Sequence, residues 1–585
     1  MRVIRVFLLF LLFAALSNQS TSGAQRPNVI IIMTDDQGYG DFGVTGNEAI
    51  ETPHMDSLAA AGAWMTNFYV SPVCSPTRAC LMTGRYNYRT RVIDTYVGRS
   101  MMDPAEVTIA ELLRPAGYAT GIFGKWHLGD CYPMRPIDQG FQEALVLRGG
   151  GLAQPSEPRE NHGRYTDPIL FHNGKQVQCR GYCTDVYFEA ALRFIRKAVN
   201  AGRPFFCYIP TNAPHGPFHD VPPAWYHHYL AKAQHLKKLI IGQPTAKEVD
   251  KLARIAAMIT NIDDNIGRLL RYLNAWGIER NTVIFFLVDN GPNTRRYVGP
   301  FRGKKADVYE GGIRSPLWIR WPGKIKPGAA YHEPVAHIDI VPTILDITGV
   351  PKPEGLRLDG RSFWGLLTGA EQSLPERSIV IQSHRGDVPV RYHNFMIRRG
   401  RWKLLHASGF GRERFTGKPN FELYDVVSDP GERHNLASQK PDLVKQLKAA
   451  YDAWFDDVSS TRPDNYAPPR IHIGSPAENP TVLTRQDWRG GTWARNSIGW
   501  WVVKIERSGL YDFEVLIYPG KEQETLTLQV AGVRRRTAVL PGADSVKVEG
   551  VKLRAGNTEV HATLTGSKGA RGVYQVIVTF RGTSP

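Results

Sequence analysis

The segment Asn28-Val-Ile-Ile-Ile-Met-Thr34, followed directly by Asp35-Asp36-Gln37-Gly38, decides the fold class of this 585-residue chain. Almost every residue of the first segment is apolar, as expected for a strand that is buried on both faces of its sheet. Similar short runs recur at residues 119–124, 204–210 and 282–288, with helical patterns between them. This alternation predicts an α/β fold, in which helices cover both faces of a parallel or mixed sheet.

The helical patterns fall at residues 55–68, 75–83, 185–201 and 245–276. The last of them begins at Thr245 with Glu248 three residues later, which is the arrangement of a capping box. We therefore expect a long helix to start at that threonine.

The pattern changes twice after residue 350. Strand-like segments and an amphipathic helix at residues 442–458 predict a small α+β subdomain over residues 351–462. Several prolines between residues 461 and 480 then precede short alternating runs separated by turns, which predict a β-sandwich over residues 470–585. Residues 25–350 form the predicted α/β domain, so three domains are expected, as the length also suggests.

The first 24 residues have the pattern of a secretory signal peptide. Arg2 and Arg5 precede an apolar run over residues 6–16, and small and polar residues follow. A run of that length is too short to span a membrane comfortably, and no later stretch is long enough. We expect a secreted or periplasmic protein without a transmembrane span.

Cysteine usage is consistent with export, because the chain has six cysteines. Cys179 and Cys183 are close enough in sequence to close a small disulfide loop. Cys131 and Cys207 are a further possible pair, which the sequence alone leaves open.

The chain is strongly basic, with 72 Lys and Arg against 55 Asp and Glu and a formal net charge of +17. With 42% hydrophobic and 22% charged residues, the composition excludes a disordered chain and a bundle of membrane helices. The positive charge favours an anionic partner, and nucleic acid, an acidic membrane surface and a sulfated or phosphorylated substrate all fit it.

Polar, reactive residues stand where the main predicted strands end. Asp35 and Asp36 follow the first strand, Lys125 and His127 another, His215 a third, and Asp289 with Asn290 the last. Ligands of open parallel sheets bind at the carboxyl ends of the strands, so these groups are expected to converge on one edge. Oxygen donors without an inner cysteine thiolate or histidine favour Ca2+ or Mg2+ over Zn2+. Alternatively, each Asp or Asn could simply cap the following helix.

Cys74 begins the segment Cys74-Ser75-Pro76-Thr77-Arg78 at the predicted start of a helix. The N-terminus of a helix suits a bound anion, and Arg78 would lie one turn further along the same face. The residues alone leave two interpretations of Cys74 open, a reactive group and a small buried or disulfide-bonded residue.

Together with Leu81, Thr83-Gly84 and Arg85, this segment resembles the signature of the type I sulfatases, a branch of the alkaline phosphatase superfamily. Thr77 stands where many relatives have serine. Further matching segments follow in order along the chain, at residues 35–41, 124–129, 214–215, 289–291, 305–312, 401–404, 422–425 and 429–432.

The resemblance implies that Cys74 is converted to Cα-formylglycine by a formylglycine-generating enzyme, and that the hydrated aldehyde is the nucleophile. It implies a metal ion, Ca2+ rather than Mg2+, held by Asp35, Asp36, Cys74, Asp289 and Asn290. It also implies that the other catalytic side chains are Arg78, Lys125, His127, His215 and Lys305.

Within that set, the resemblance assigns orientation of the hydrate to Arg78, Lys125 and His127. Sulfate binding falls to Lys125, His215 and Lys305, with His215 as the acid for the leaving group and His127 as the base that releases sulfate. Counting back from Glu310-Gly311-Gly312 selects Lys305 over its neighbour Lys304. Without the motifs, either histidine would be interpreted as a structural residue.

The expected function is hydrolysis of sulfate esters, R-O-SO3, on a sulfated carbohydrate. A phosphodiester or phosphonate ester hydrolase of the same superfamily and a glycan-binding homologue without catalysis are the alternatives. Nucleic acid is not an expected partner, since no nucleic-acid-binding module is found. Trp488, Trp493, Trp500 and Trp501 could stack on sugars or form the core of the sandwich, and Arg534-Arg535-Arg536 could engage a sulfated chain or form a solvated turn.

Overall fold

The strand Asn28–Thr34 lies in the middle of a ten-stranded sheet and carries side chains into two cores. Its residues 29, 31 and 33 pack on one face and residues 30 and 32 on the other, all fully buried. This is why residues 29–33 of the strand are all apolar. The computed structural model describes residues 26–462 and 464–583, so the expected signal peptide at residues 1–24 lies outside the described residues.

The main sheet has a parallel centre and antiparallel strands toward both sides, so the predicted α/β class with a mixed sheet is confirmed. Its strands lie in the order Ala329–Tyr331, Ala63–Met65, Leu317–Arg320, Thr282–Val288, Asn28–Thr34, Phe205–Pro210, Ala119–Lys125, Glu143–Leu147, Ile169–His172 and Lys175–Gln178.

Helices cover both faces of this sheet, as predicted. One face carries Pro53–Ala61, Cys183–Asn200 and Ala246–Ala275, and the other carries Cys74–Thr83, Ile109–Leu113, Ile340–Thr348 and Trp364–Thr368. The predicted capping box is present, because Thr245 Oγ1 accepts a hydrogen bond from the Glu248 amide at 3.2 Å and the Thr245 amide donates to Glu248 Oε2 at 2.9 Å. No helix of the described residues is long and apolar enough to cross a membrane.

Smaller elements connect these layers. They are the helices Pro223–Ala231, Ala233–Leu239 and Glu310–Ile313, the 3-10 turns Tyr39–Asp41, Gly43–Thr45, Pro136–Asp138, Arg159–Asn161, Glu279–Asn281 and His337–Asp339, and a small sheet of Arg314–Ser315, Phe68–Tyr69 and Val335–Ala336.

The helix predicted over residues 55–68 is wrong in its second half. The helix ends at Ala61, and the chain then forms the edge strand Ala63–Met65 of the main sheet. Gly62 lies between them, and a Cβ atom there would stand 2.5 Å from the carbonyl oxygen of Ile319. The backbone passes too close to the neighbouring strand for a helix to continue.

A four-stranded antiparallel sheet, Ser378–Gln382, Phe395–Arg399, Trp402–His406 and Glu422–Asp425, follows the main sheet. The helix Pro441–Ser459 covers it with Leu447, Tyr451 and Val458, which are buried. This is the small α+β unit that the sequence predicts.

A buried ionic cluster, which we call the scaffold cluster, joins this unit to the residues around the main sheet. Lys403 Nζ contacts Glu310 Oε1 at 2.9 Å and Glu432 Oε1 at 2.8 Å. Arg314 contacts Glu310 Oε2 at 2.6 Å, and the Tyr69 hydroxyl donates to the same carboxylate at 2.9 Å. Removing one member of such a buried cluster leaves uncompensated charge, so the cluster fixes how the two parts pack.

Two further sheets form a C-terminal β-sandwich, which confirms the last part of the predicted fold class. One contains Ile471–Ile473, Trp500–Ile505, Gly556–Gly566, Glu524–Val530, Val533–Val539 and Gly569–Gly572, and the other Thr481–Thr484, Gln575–Gly582, Gly509–Leu516 and Ser545–Leu553. Side chains of both sheets share one core, and Trp488 and Trp501 are fully buried in it. These two tryptophans therefore form the core of the sandwich and offer no surface for sugars.

Neither possible disulfide is formed. Cys179 and Cys183 both carry free thiols, and the Cys183 Sγ atom points to Asn212 Oδ1 at 3.8 Å. Cys131 and Cys207 are also free and lie in different hydrophobic cores, that of the sandwich and that of the main sheet.

Candidate active site

The polar strand ends meet at one edge of the main sheet, as the parallel topology predicts. The Asp35 amide donates to the carbonyl of Ala213 at 3.2 Å, and the Asp289 amide donates to the carbonyl of Thr34 at 3.0 Å. Asp36 N lies 3.3 Å from Asp289 Oδ1. Asp36 has a positive φ of 61°, a strained conformation for a residue other than glycine. This conformation turns the backbone sharply, so the carboxylates of Asp35 and Asp36 can both face the same centre.

Cys74 is the first residue of the buried helix Cys74–Thr83. Its Sγ atom, one oxygen of Asp35 and one oxygen of Asp289 lie within 4.8 Å of one another. Burial raises the pKa of the Cys74 thiol, so it is protonated in this environment. Thr77, which stands where relatives have serine, donates its hydroxyl to the carbonyl of Asp289 at 2.7 Å, a bond that either residue can make.

Three cations, Arg78, Lys125 and Lys305, approach the three carboxylates of this centre. Arg78 contacts Asp289 Oδ2 at 2.8 Å and Asp35 Oδ2 at 3.3 Å, and Lys125 contacts Asp35. Burial acts to raise the pKa of Asp35, but Lys125 and the other cations hold that pKa below its usual range. Burial, and then the charge of Asp35, raise the pKa of Asp289 to about 6. The carboxylates therefore repel one another despite their partners.

Some oxygens at this edge accept no hydrogen bond from the described residues. They are Asp35 Oδ1, Asp36 Oδ2 and Asn290 Oδ1, all buried. Asn290 Nδ2 donates to Asp36 Oδ1 at 2.8 Å, which leaves its own oxygen free. Buried acceptors without a donor are costly, and an all-oxygen set beside mutually repelling carboxylates fits a hard divalent cation. The residues present therefore fit the expected metal.

Lys305 and His215 lie on the Asp36 side of the centre. Lys305 Nζ contacts Asp36 Oδ1 at 2.5 Å, so this lysine places a cation at the site. His215 Nε2 lies 3.8 Å from Asp36 Oδ2, and its Nδ1 donates to the carbonyl of Gly216 at 2.7 Å. Burial lowers the pKa of His215 although Asp36 opposes the shift.

His127 lies on the other side, next to Lys125. Its Nε2 atom is 2.7 Å from the carbonyl oxygen of Thr95, which can only accept, so Nε2 carries the proton and Nδ1 is the free base. Nδ1 has no partner among the described residues. Burial lowers the pKa of His127 well below its usual range, and the charges of Lys125 and Arg78 act in the same direction.

No sequence motif indicates that the sandwich reaches this centre. Gln486, a buried residue of the sandwich, donates its amide to the carbonyl of Thr95 at 3.0 Å and to Ser100 Oγ at 3.2 Å. Its Nε2 atom lies 3.4 Å from His127 Nε2. Two side chains thus share the Thr95 carbonyl that orients the histidine. No local motif marks Gln486, because it is 359 residues away from His127.

A glycine-rich turn closes the centre on the histidine side. A Cβ atom at Gly150 would lie 2.3 Å from the ring of His127, and one at Gly151 would lie 3.0 Å from His215 Nδ1. Only residues without side chains allow this backbone so near both rings, which explains the Gly149-Gly150-Gly151 triplet.

Comparison with known proteins identifies the class of protein. The sequence model of the family described as Sulfatase matches residues 27–350, and that described as N-sulphoglucosamine sulphohydrolase, C-terminal, matches residues 303–454. The chain therefore belongs to the sulfatase family, and it is a sulfuric ester hydrolase. The sandwich lies beyond both matched ranges.

Individual relatives agree with this assignment. The chain is 31% identical to N-acetylgalactosamine-6-sulfatase of Canis lupus familiaris over 65% of this chain and 72% of that protein. It is 30% identical to arylsulfatase A of Homo sapiens over 73% and 87% of the two chains. Among solved structures, Ps i-CgsB in complex with k-i-k-neocarrahexaose aligns with a TM-score of 0.63 and 28% identity over 74% of this chain and 93% of that one.

Proposed function

We propose that this chain hydrolyses sulfate esters of a sulfated carbohydrate with a formylglycine nucleophile made from Cys74 and with Ca2+ bound at the strand ends. The observation that carries the proposal is the set of unpaired buried oxygens beside the first residue of the helix Cys74–Thr83. Relatives named for a sulfated sugar and a similar structure in complex with k-i-k-neocarrahexaose support a carbohydrate substrate.

The oxygens of Asp35, Asp36, Asp289 and Asn290, with the modified residue 74, would hold the calcium ion. When bound, the ion supplies a Lewis acid for a sulfate oxygen and favours ionisation of one hydroxyl of the aldehyde hydrate. Ca2+ fits better than Mg2+, because the ligands are carboxylate and amide oxygens held by protein and Mg2+ prefers to keep several waters.

Different side chains of this centre act in the two steps of the reaction, which are attack on the sulfate ester and release of sulfate. In the first, one hydroxyl of the hydrate loses its proton to solvent and attacks sulfur, and the S–O bond to the sugar breaks, while Lys125 and Lys305 neutralise charge on the sulfuryl oxygens. His215 gives a proton to the departing sugar oxygen. The sulfate ester brings negative charge next to this histidine, which favours its protonated form against the effect of burial.

In the second step the remaining hydroxyl of the hydrate gives its proton to His127 Nδ1, the C–O bond to the sulfate breaks, and the aldehyde forms. The free Nδ1 atom and the fixed Nε2 proton suit His127 to this role. Addition of water regenerates the hydrate. Arg78 contacts Asp35 and Asp289, and it orients the hydrate through the ligand set.

The test uses protein made in cells that contain a formylglycine-generating enzyme. We expect turnover of an aryl sulfate and, in the peptide that carries residue 74, the mass of formylglycine. Cys74→Ala lowers kcat by at least about 10^4-fold, because it removes the nucleophile. Cys80→Ala, which removes another buried thiol of the same helix, is the matched control and retains turnover. An active Cys74→Ala protein would contradict the proposal.

The rival activity within the superfamily is hydrolysis of phosphodiesters or phosphonate esters. Comparing kcat/KM for an aryl sulfate and for the corresponding aryl phosphodiester separates the two, and we expect the sulfate to be preferred. A non-catalytic glycan-binding protein would bind a sulfated oligosaccharide without releasing sulfate. Release of inorganic sulfate from defined mono- and oligosaccharides identifies the sugar and the position.

Export of the protein is proposed from the signal-peptide pattern of residues 1–24 alone. The N-terminal sequence of protein recovered from the periplasm or the medium tests it. A mature chain that still begins at Met1 would contradict it.

A further inference from the structure

An open cleft of about 330 Å³ lies where the sandwich meets the residues around the main sheet. One wall is the loop that contains Gln154 and Arg159, and the other carries Tyr518 and Tyr574 of the sandwich. Its volume is at the lower end of the range for small-ligand sites. Neither the sulfatase motifs nor the mechanism above uses these residues.

The cleft adjoins the active site through Gln154. The Gly150 amide donates to Gln154 Oε1 at 2.8 Å, and Gly150 packs against His127. A Cβ atom at Gly151 would lie 3.4 Å from Gln154 Nε2 and 3.0 Å from the ring of His215. One short turn of backbone, residues 150–154, therefore separates the ring of His215 from the cleft.

Tyr518, Tyr574 and Arg159 line this cleft, and Arg495 lies outside that lining, beside Tyr518. The guanidinium of Arg159 lies 3.8 Å from the ring centre of Tyr574, and the rings of Tyr518 and Tyr574 meet edge to face at 5.3 Å. Arg495, an exposed residue, lies 4.9 Å from the ring centre of Tyr518. Tyr518 is half-buried, so part of its ring faces solvent.

The positive charge of the cleft is not neutralised. Arg159 and Arg495 each donate to a backbone carbonyl, of Ile517 at 3.3 Å and of Pro519 at 3.1 Å, and neither forms a salt bridge within residues 26–462 and 464–583. Burial raises the pKa of Glu157, the buried carboxyl group of the same loop, to about 8, so it is neutral at pH 7. Two arginines with free donors beside an aromatic ring suit an anionic group on a flat apolar face.

We propose that this cleft is a subsite for an anionic sugar unit next to the one whose sulfate ester is hydrolysed. Arg159 and Arg495 bind its sulfate or carboxylate group, and Tyr518 packs against the pyranose ring. The proposal rests on the proposed function, and it gives the sandwich a role in choosing oligosaccharides over small sulfate esters.

The test compares kcat/KM for a defined sulfated tetrasaccharide with kcat/KM for an aryl sulfate. In Tyr518→Ala and Arg159→Ala, we expect this ratio to fall at least about tenfold, mainly through KM of the tetrasaccharide. The control is Arg554→Ala, which removes an exposed arginine elsewhere in the same sandwich and leaves the ratio unchanged. An unchanged ratio in both cleft variants overturns the subsite.

Binding gives a second measurement that does not depend on turnover. In a Cys74→Ala background, Tyr518→Ala should weaken binding of the same tetrasaccharide at least about fivefold by calorimetry, and Arg554→Ala should not. Equal binding by both variants overturns the subsite even if the chain is active. Absence of sulfate release by the wild-type enzyme overturns the proposed function instead, so the two failures are distinguishable.

Discussion

Two buried ionic clusters of this molecule have similar composition and opposite roles. The strand-end cluster contains Asp35, Asp36 and Asp289 with Arg78, Lys125 and Lys305, and the scaffold cluster contains Glu310 and Glu432 with Lys403, Arg314 and Tyr69. All six residues of the strand-end cluster, and Glu310, Lys403 and Glu432 of the scaffold cluster, lie in segments that match the sulfatase signature. Charged residues in a family motif therefore do not by themselves identify a catalytic centre.

The clusters differ in how completely their oxygens are paired. Glu432 Oε1 accepts no hydrogen bond within the part of the chain that the structure describes, but it lies 2.8 Å from Lys403 Nζ, and the other carboxylate oxygens of Glu310 and Glu432 each contact a cation or a hydrogen-bond donor. In the strand-end cluster, Asp35 Oδ1 and Asp36 Oδ2 accept no hydrogen bond from the described residues, and the nearest nitrogen to Asp36 Oδ2 in an ion pair is His215 Nε2 at 3.8 Å. We therefore expect a cation to bind at the strand-end cluster and not at the scaffold cluster.

The largest expected contrast comes from removing one lysine from each cluster. Lys305→Met should lower kcat/KM by about 10^3-fold, because it removes a charge that stabilises the transition state. Lys403→Met should lower the free energy of unfolding by about 3–5 kcal/mol, because Glu310 and Glu432 lose their shared cation. Steady-state kinetics and denaturant titration of both variants check this. A stable but inactive Lys403→Met protein would contradict the contrast.

Calcium should stabilise the protein through the strand-end cluster only. Ca2+ at about 100 times its Kd adds about 2.7 kcal/mol to the free energy of unfolding of the chelated protein. Asn290→Leu removes an unpaired oxygen and should weaken this stabilisation, whereas Glu432→Gln in the scaffold cluster should retain it. Thermal unfolding with and without chelator measures the difference, and equal loss in both variants would remove the distinction between the clusters.

Glu157 shows what a buried carboxyl group does without a cation partner. Its pKa is raised to about 8 in the folded protein against about 4.3 when unfolded, so the folded state holds a proton that the unfolded state releases. The free energy of unfolding should therefore decrease as the pH rises from about 4.5 to about 8, by up to about 1.4 kcal/mol per pH unit. Glu157→Gln should flatten this part of the stability profile. A profile identical to that of the wild type would show that Glu157 is ionised in the folded state.

The smallest expected effect concerns the contact between Gln486 of the sandwich and the Thr95 carbonyl that His127 also binds. Gln486→Leu should lower kcat about three- to tenfold with little change in KM, because the Thr95 carbonyl that orients His127 loses one of its two donors. Gln529→Leu, at an exposed position of the strand Glu524–Val530, is the matched control. If both variants behave as the wild type does, the sandwich does not support the centre.

The sequence predicted what depends on local pattern. An unbroken apolar run located the central strand, and parallel topology then brought Asp35 and Asp289 together. The sequence did not predict features that depend on contacts between residues far apart in the chain. The helix expected to continue to residue 68 ends because Gly62 lies against Ile319, and Gln486 meets His127 only because the sandwich docks there. The division into domains at residues 350 and 470 stays a prediction.

Gln486 also affects the time at which the enzyme becomes competent during synthesis. A ribosome adds the 359 residues between His127 and Gln486 in roughly 20 to 70 s, at about 5–20 residues per second. The main sheet has all its strands well before that time, since the last of them ends at Tyr331. A nascent chain can thus possess the whole ligand set while its histidine still lacks the support that the sandwich provides.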